Sequence, residues 1–355
     1  MSLATRAIAV SGALIAARAL LRQQRRIEFS NRVVVISGGS RGLGLEIARR
    51  FAAEGAHLAL LARNRGQLES ARQELRSRST EVLLVPCDVR NESEAVESIR
   101  TVAGWKDRID VLVNNAGIIQ VGPYEHMNRD DFVNALEVHF WGPLRLIEAA
   151  LPYMRRQGEG RIVNIASFGG KIAVPHLLPY CASKFALVGL SDGFRAELAH
   201  GGIYVTTVCP GLMRTGSHVN AWFKGRREEE FALFSITNAL PTFSMSSSRA
   251  ARRIVEACRY AQPFLMMPSQ ARAAHIASTL FPNLVANVLE VAGRLLPRPA
   301  AGGDPAKPGW ECRSPLAPRW LTYLSDAATR RNNELPSPGR SPRMSAPSAP
   351  GSQDR

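Results

Sequence analysis

The feature that most narrows the fold is an alternation. From Arg32 to about Pro268, short runs rich in β-branched residues take turns with longer segments of helical period. Val33–Ser37, His57–Leu61, Val82–Pro86, Val111–Asn114, Arg161–Ala166, Tyr204–Val208 and Phe264–Met267 read as strands. Leu43–Glu54, Gly66–Arg76, Glu92–Val102, Arg129–Arg155 and Tyr180–His200 read as helices between them. Parallel strands need crossovers of a dozen or more residues, which such helices supply. The runs are apolar on both faces, as strands covered on both sides must be. The pattern implies one α/β domain over residues 31–268, a doubly wound parallel seven-stranded sheet with helices on both faces and right-handed crossovers.

The remainder of the 355 residues looks different. Residues 1–30 open with an almost wholly apolar stretch, Ala7–Leu21, broken by Arg18 and followed by Arg22, Arg25 and Arg26. That stretch is short for a full membrane crossing, which takes about 20 apolar residues. A basic helix lying on a membrane, a cleaved targeting segment and a helix packed on the protein's own surface stay open. Residues 269–296 read as one or two further apolar helices, suited to capping the substrate end, a subunit contact or a membrane. Residues 297–355 hold 11 of the chain's 22 prolines and read as a largely disordered tail.

The net charge of +15 concentrates in these ends. Residues 1–27 carry five Arg and no acid, and Arg298 to Arg355 carries nine basic against five acidic residues. The middle lacks a nucleic-acid motif, so no nucleic-acid partner is expected. The five cysteines are scattered without Cys-x-x-Cys, which fits reduced thiols in a cytoplasmic protein, or one on a membrane and facing the cytoplasm. No histidine or cysteine pair has metal-ligand spacing, so no metal is expected.

The first strand runs into Ser37-Gly38-Gly39-Ser40-Arg41-Gly42-Leu43-Gly44 and then into a helix. Gly38, Gly42 and Gly44 permit a tight turn and close approach of backbone to a diphosphate, while the helix N-terminus supplies unpaired N–H groups. The Gly-x-x-x-Gly-x-Gly spacing resembles the short-chain dehydrogenase/reductase family, with Ser37 where that family usually has Thr. The resemblance covers about residues 31–268 and implies a Rossmann-like fold that binds a nicotinamide dinucleotide. Leu60-Leu61-Ala62-Arg63-Asn64 ends the second strand without an acid. An acid there would accept the ribose 2′-hydroxyl and repel a 2′-phosphate. Arg63, beside Asn64, and Arg41 as a second cation suit a phosphate, so NADP(H) is preferred over NAD(H). By the resemblance, Asp88-Val89 meets the adenine. Asn115-Ala116-Gly117, preceded by Asn114, steadies the sheet beside the cofactor, and Pro210-Gly211 with Thr215 meets the nicotinamide.

Tyr180 and Lys184 lie four apart on one helix face. A nearby ammonium favours a phenolate, so Lys184 is expected to lower the pKa of Tyr180 toward neutral pH. Tyr180 then gives or takes the proton at a carbonyl or alcohol oxygen. Ser167 lies 13 residues upstream, the family's spacing, and would hydrogen-bond the same oxygen. The resemblance adds that Lys184 binds the nicotinamide ribose. It also marks a departure: His139 stands where the family has an Asn that holds a relay water. An imidazole titrates near neutral pH, so His139 is expected to serve in the relay and add a pH dependence.

Residues 212–245 form the segment that covers substrate in this family. Trp222, Phe223, Phe231, Phe234 and Phe243 there, with Leu177, Leu178 and Phe168 near the catalytic residues, suggest a lipophilic alcohol or ketone, of steroid, retinoid, fatty or prenyl type. Closure of the lid on itself or a dimer contact would use the same residues. The expected activity is NADP(H)-dependent hydride transfer at a carbonyl or secondary alcohol carbon. The alternative is a catalytically silent nucleotide-binding sensor or scaffold, against which Ser167, Tyr180 and Lys184 weigh. By the resemblance the chain forms a homodimer or homotetramer, and residues 1–27 suit contact with a membrane surface.

Overall fold

The structure, a computed structural model, describes residues 12, 16–17, 19–76, 80–300 and 305–335. Seven strands form one sheet: β1 (Val33–Ser37), β2 (His57–Ala62), β3 (Val82–Pro86), β4 (Val111–Asn114), β5 (Gly160–Ile165), β6 (Ile203–Pro210) and β7 (Phe264–Met267). Their order is β3-β2-β1-β4-β5-β6-β7, with every neighbour pair parallel. From β1 the chain moves outward to β3, then returns to lay β4 on the other side of β1. The C-terminal ends of β1 and β4 therefore open a crevice, the position where ligands bind in sheets of this kind.

The helices are α1 (Gly42–Ala52), α2 (Arg65–Arg76), α3 (Glu92–Lys106), α4 (Arg129–Leu136), α5 (Gly142–Gln157), α6 (Leu178–Leu198), α7 (Arg227–Ala239), α8 (Ser247–Arg259), α9 (Ser269–Leu280), α10 (Pro282–Arg294) and α11 (Arg319–Arg331). Side chains alternate along each strand, so β1 feeds two cores. Val34 and Ile36 join Leu58, Leu60, Leu45, Phe51 and Ile254 on the α1–α2–α8 face. Val33 and Val35 join Ala59, Leu61, Ile99, Leu146 and Met154 on the α3–α5 face. Both faces are sealed, as the apolar runs require.

Two differences from the sequence reading bear on function. The segment 129–155 is not one helix. A π-helical turn, Glu137–Trp141, separates α4 from α5, and the Gly142 N–H reaches back to the Glu137 carbonyl. Pro143 has no N–H to offer the His139 carbonyl, so the regular ladder breaks there. The second difference is the tail. The expectation of a largely disordered segment after residue 296 does not hold for residues 305–335. Lys307–Pro308 adds an antiparallel strand to Trp222–Phe223, and α11 packs small residues, Ser325, Ala328 and Thr329, among buried surroundings. Proline content signalled a broken ladder but not the folding of the stretches between prolines. Residues 336–355 lie outside the described residues.

Residues 1–11 also lie outside the described residues. The end of the N-terminal segment is docked: Arg22 stacks 4.1 Å over the Tyr260 ring and Arg25 4.9 Å over Tyr204. Leu20 and Leu21 are exposed, as are Leu280, Phe281, Leu284, Val288 and Leu295 on α9 and α10. Among the described residues no helix is long and apolar enough to cross a membrane.

Phe51 of α1 is fully buried and meets Phe29 edge-on, with ring centroids 4.8 Å apart. Phe51→Ala should lower the unfolding free energy by about 3–5 kcal/mol, read as a drop in the urea midpoint with an unchanged m-value.

Candidate active site

The crevice is built by hydrogen bonds between the ends of β1 and β4. The Ser37 hydroxyl accepts from the amides of Asn115 (3.0 Å) and Ala116 (3.2 Å). The Asn115 side chain returns bonds to the carbonyls of Ser37 and Gly38, each at 3.2 Å. The Ser in place of the family's Thr thus keeps the hydroxyl's work. Asn114 bonds Asn164 on β5 at 2.8 Å, extending the network across the sheet.

The glycine loop fits a diphosphate. Gly42 has a left-handed φ of +59°, and a Cβ at Gly44 would stand 2.1 Å from the Gly38 carbonyl oxygen. No side chain caps α1, and its first turn holds no acid. Its dipole end therefore faces the crevice ready for an anion. A carboxyl group is already there: that of Glu334 lies against Gly42 and accepts from the Gly216 amide at 2.5 Å. Leu43 is buried at the start of the same helix, and Ser40 is buried within the loop.

The other residues expected at the cofactor have partners of their own. Arg63, largely exposed, lies 3.8 Å from Asp88. Arg41 bonds the Asn220 side chain and acts on the nearby Glu334 carboxyl. Asn64 accepts from the Gln67 amide at 3.0 Å and starts α2. Asp88 is bound by Arg90, and hydrogen bonds from that guanidinium hold its carboxyl below the usual range against the opposing effect of burial. Val89 is buried against Gly142. Gly117 abuts the His139 ring, Gly211 donates to the Met267 carbonyl at 2.6 Å, Pro210 is buried at the end of β6, and Thr215 is buried beyond it.

The predicted catalytic residues do meet. Ser167 follows β5, and Tyr180 and Lys184 project from the first turns of α6. The Tyr180 phenol hydrogen-bonds Ser167, an interaction that favours the phenolate, yet burial outweighs it and pushes the phenol up to about 12. The Lys184 ammonium donates to the Ile165 carbonyl at 2.8 Å and lies 5.7 Å from the Tyr180 ring centroid. Burial drives Lys184 down to about 7. This corrects the expectation that Lys184 makes Tyr180 acidic in the protein alone. Desolvation acts on both groups and favours two neutral side chains.

His139 is fully buried on the π-turn, edge-on to Tyr180 at 5.4 Å. Its Nε2 accepts from the Ile118 amide at 3.1 Å, so in the neutral ring Nδ1 carries the proton and donates to Ser183 Oγ at 2.8 Å. Ser183 in turn donates to the Tyr180 carbonyl at 2.8 Å. Burial, with Lys184 adding to it, holds His139 well below its ordinary pKa. The expected titration near neutral pH is therefore corrected. Both ring nitrogens are taken, and the ring joins the loop after β4 to the helix that carries Tyr180.

The lid over 212–245 closes partly on itself. Phe223 meets Phe231 and Phe234 at centroid distances of 5.6 and 6.0 Å. A buried ion pair between Lys224 and Asp131 ties it to α4. Leu178 and Phe243 keep exposed surface. Sequence reasoning missed Ser183, Asn220 and Glu334. Ser183 lies between Tyr180 and Lys184 and could have been found from its place on the helix; Glu334 carries no local signal.

A dinucleotide loop beside a Ser–Tyr–Lys cluster defines the class: an NAD(P)-dependent oxidoreductase. Residues 32–224, more than half of the chain, match the short chain dehydrogenase family, and the chain belongs to it. It acts on CH–OH and C=O groups. A dehydrogenase/reductase SDR family protein 7-like of Anopheles gambiae is 34% identical over 220 residues, covering 60% of this chain and 69% of that one. A putative ketoacyl reductase of Streptomyces coelicolor is 38% identical over 185 residues, covering 52% and 71%. Among solved structures, L-sorbose reductase from Gluconobacter frateurii, complexed with NADPH and L-sorbose, superposes with a TM-score of 0.61 at 26% identity, covering 68% of this chain and 97% of that one. A short-chain dehydrogenase from Streptomyces avermitilis gives 0.65 at 29%, covering 76% and 99%.

If His139 only joins elements, the rate should show no ionisation that belongs to it. His139→Asn should leave the pH profile of kcat unchanged in shape between pH 5.5 and 8. Loss of an inflection near 6.5 on substitution would restore the titrating role.

Proposed function

We propose that the protein is an NADP(H)-dependent carbonyl reductase or alcohol dehydrogenase for a lipophilic substrate of steroid, retinoid, fatty or prenyl type. The observation that carries the chemistry is the Ser167–Tyr180–Lys184 cluster at the end of β5, with the phenol at about 12 and the lysine at about 7. A phenol held protonated through neutral pH is a proton donor, as carbonyl reduction requires. Ser167 bonds the substrate oxygen and holds it toward Tyr180, which delivers the proton. Lys184, whose proton is loosely held, returns a proton to the phenol after transfer. His139 fixes α6 against the Ile118 loop and so positions Tyr180.

The glycine loop from Ser37 to Gly44, Asp88-Val89, Asn115–Gly117 and Pro210–Thr215 would hold the dinucleotide. When bound, its nicotinamide supplies or accepts the hydride. The absence of an acid after β2, with Arg63 exposed there, supports the phosphorylated form. The exposed Leu178, two residues before Tyr180, supports an apolar substrate, as do Leu177 and Phe168 close by. Contact of residues 1–27 with a membrane surface, supported by the exposed Leu20 and Leu21, and a homodimer or homotetramer complete the reading.

Oxidation of NADPH with a panel of lipophilic ketones and polar sugars tests it. Tyr180→Phe should cut kcat by about 10²–10⁴-fold while NADPH still binds; unchanged turnover removes Tyr180 as the acid. Arg63→Ala should weaken NADPH by about 10–100-fold, the loss of a charged hydrogen bond, and leave NADH within about threefold. Equal losses for both would overturn the phosphate assignment.

A further inference from the structure

We propose that residues Asn332–Leu335 form an internal occupant of the diphosphate site, with the Glu334 carboxylate standing in for a phosphate, and that this strap must leave before the dinucleotide can bind. The inference rests on the dinucleotide reading of the glycine loop.

The contacts run along the loop. The Gly42 N–H, at the opening of α1, donates to the Asn332 carbonyl at 2.9 Å. The Asn333 side chain donates to the carbonyls of Ser40 and Gln67, each at 3.0 Å. One Glu334 carboxylate oxygen would meet a Cβ at Gly42 at 2.9 Å, and the other accepts from Gly216, the residue after Thr215. The Arg41 guanidinium faces the same carboxylate. The strap thus uses a helix N-terminus, a loop amide and a guanidinium, the donors that a diphosphate between Gly42 and Thr215 would need. A carboxyl group and a phosphate cannot occupy them together.

The strap is also anchored. Arg49 bonds the Asn332 side chain and the Arg331 carbonyl, each at 2.8 Å, and Asn332 donates to Ser247 at 3.2 Å. Asn220 of the lid donates to the Glu334 carbonyl at 3.0 Å. Glu334 itself is only 6% exposed. Burial pushes its carboxyl up to about 7, against the pull of Gly216 and Arg41, so the seat is held at some cost. An occupant of this kind scales apparent cofactor affinity down to the fraction of chains with the site open.

The experiment compares NADPH binding by the full chain and by its Glu334→Gln variant, using NADPH fluorescence, with hydrogen exchange of residues 332–335 followed during titration. The variant removes the charge and keeps the size, so NADPH should bind about tenfold tighter, as expected for losing a charged hydrogen bond in the closed state. Exchange at 332–335 should rise when NADPH binds the unaltered chain. Equal affinities, or weaker binding by the variant, would overturn the strap and leave the dinucleotide reading standing. Increased protection of 332–335 on binding would do the same, because the segment would then belong to the cofactor's own site. Failure of NADPH and NADH to bind either protein overturns both.

Discussion

The register between β1 and β4 is the constraint on which the site depends. It sets Ser37 beside Asn114, with each strand turning away into its own loop at that level. The Ser37 hydroxyl then lies beneath the amides of Asn115 and Ala116, and the Asn115 side chain reaches back over the glycine turn. A slip of one residue would reverse the faces of β1 and lose these bonds together. The two apolar cores forbid such a slip, since Val34 and Ile36 belong to one and Val33 and Val35 to the other. Packing on the faces of the sheet thus fixes polar geometry at its edge.

Desolvation governs the electrostatics of the catalytic cluster. By spacing alone, Lys184 is a cation beside Tyr180 and would lower the phenol. Within the fold, both lose water and both move toward neutrality. The neutral, fully bonded His139 belongs to the same pattern. Its two nitrogens serve Ile118 and Ser183, and it leaves no further proton to exchange. The π-turn brings this ring edge-on to Tyr180.

Much of this was legible in the sequence because it is local. Four of the seven strands begin and end at the residues that the β-branched runs marked, and Ser167 and Lys184 lie against Tyr180. What was not legible depends on distant partners. The break in 129–155 needed the consequence of Pro143 to be weighed against an apolar periodicity that continues through it. The direction of the Tyr180 shift needed burial, which spacing does not carry. The folding of 305–335 needed the surfaces of Trp222–Phe223 and α7, and the partner of Glu334 is a loop near the other end of the chain.

The tail and the lid are mechanically one unit. Lys307–Pro308 extends the lid's own strand, α11 lies along α7, and Asn220 divides its side chain between the Gly216 carbonyl at 2.9 Å and the Glu334 carbonyl at 3.0 Å. His218 of the lid faces Asp326 of α11. Polar groups this well buried cannot lose a partner without finding another. A change at the Glu334 seat must therefore be felt at Asn220 and so along the lid. The aromatic cluster of Phe223, Phe231 and Phe234 stiffens the other side of that lid, and the Lys224–Asp131 pair pins it to α4. The lid is thereby held to the sheet through α4 and to the glycine loop through the tail. The 212–245 segment is accordingly held by residues beyond the family-matched region as well as by those within it.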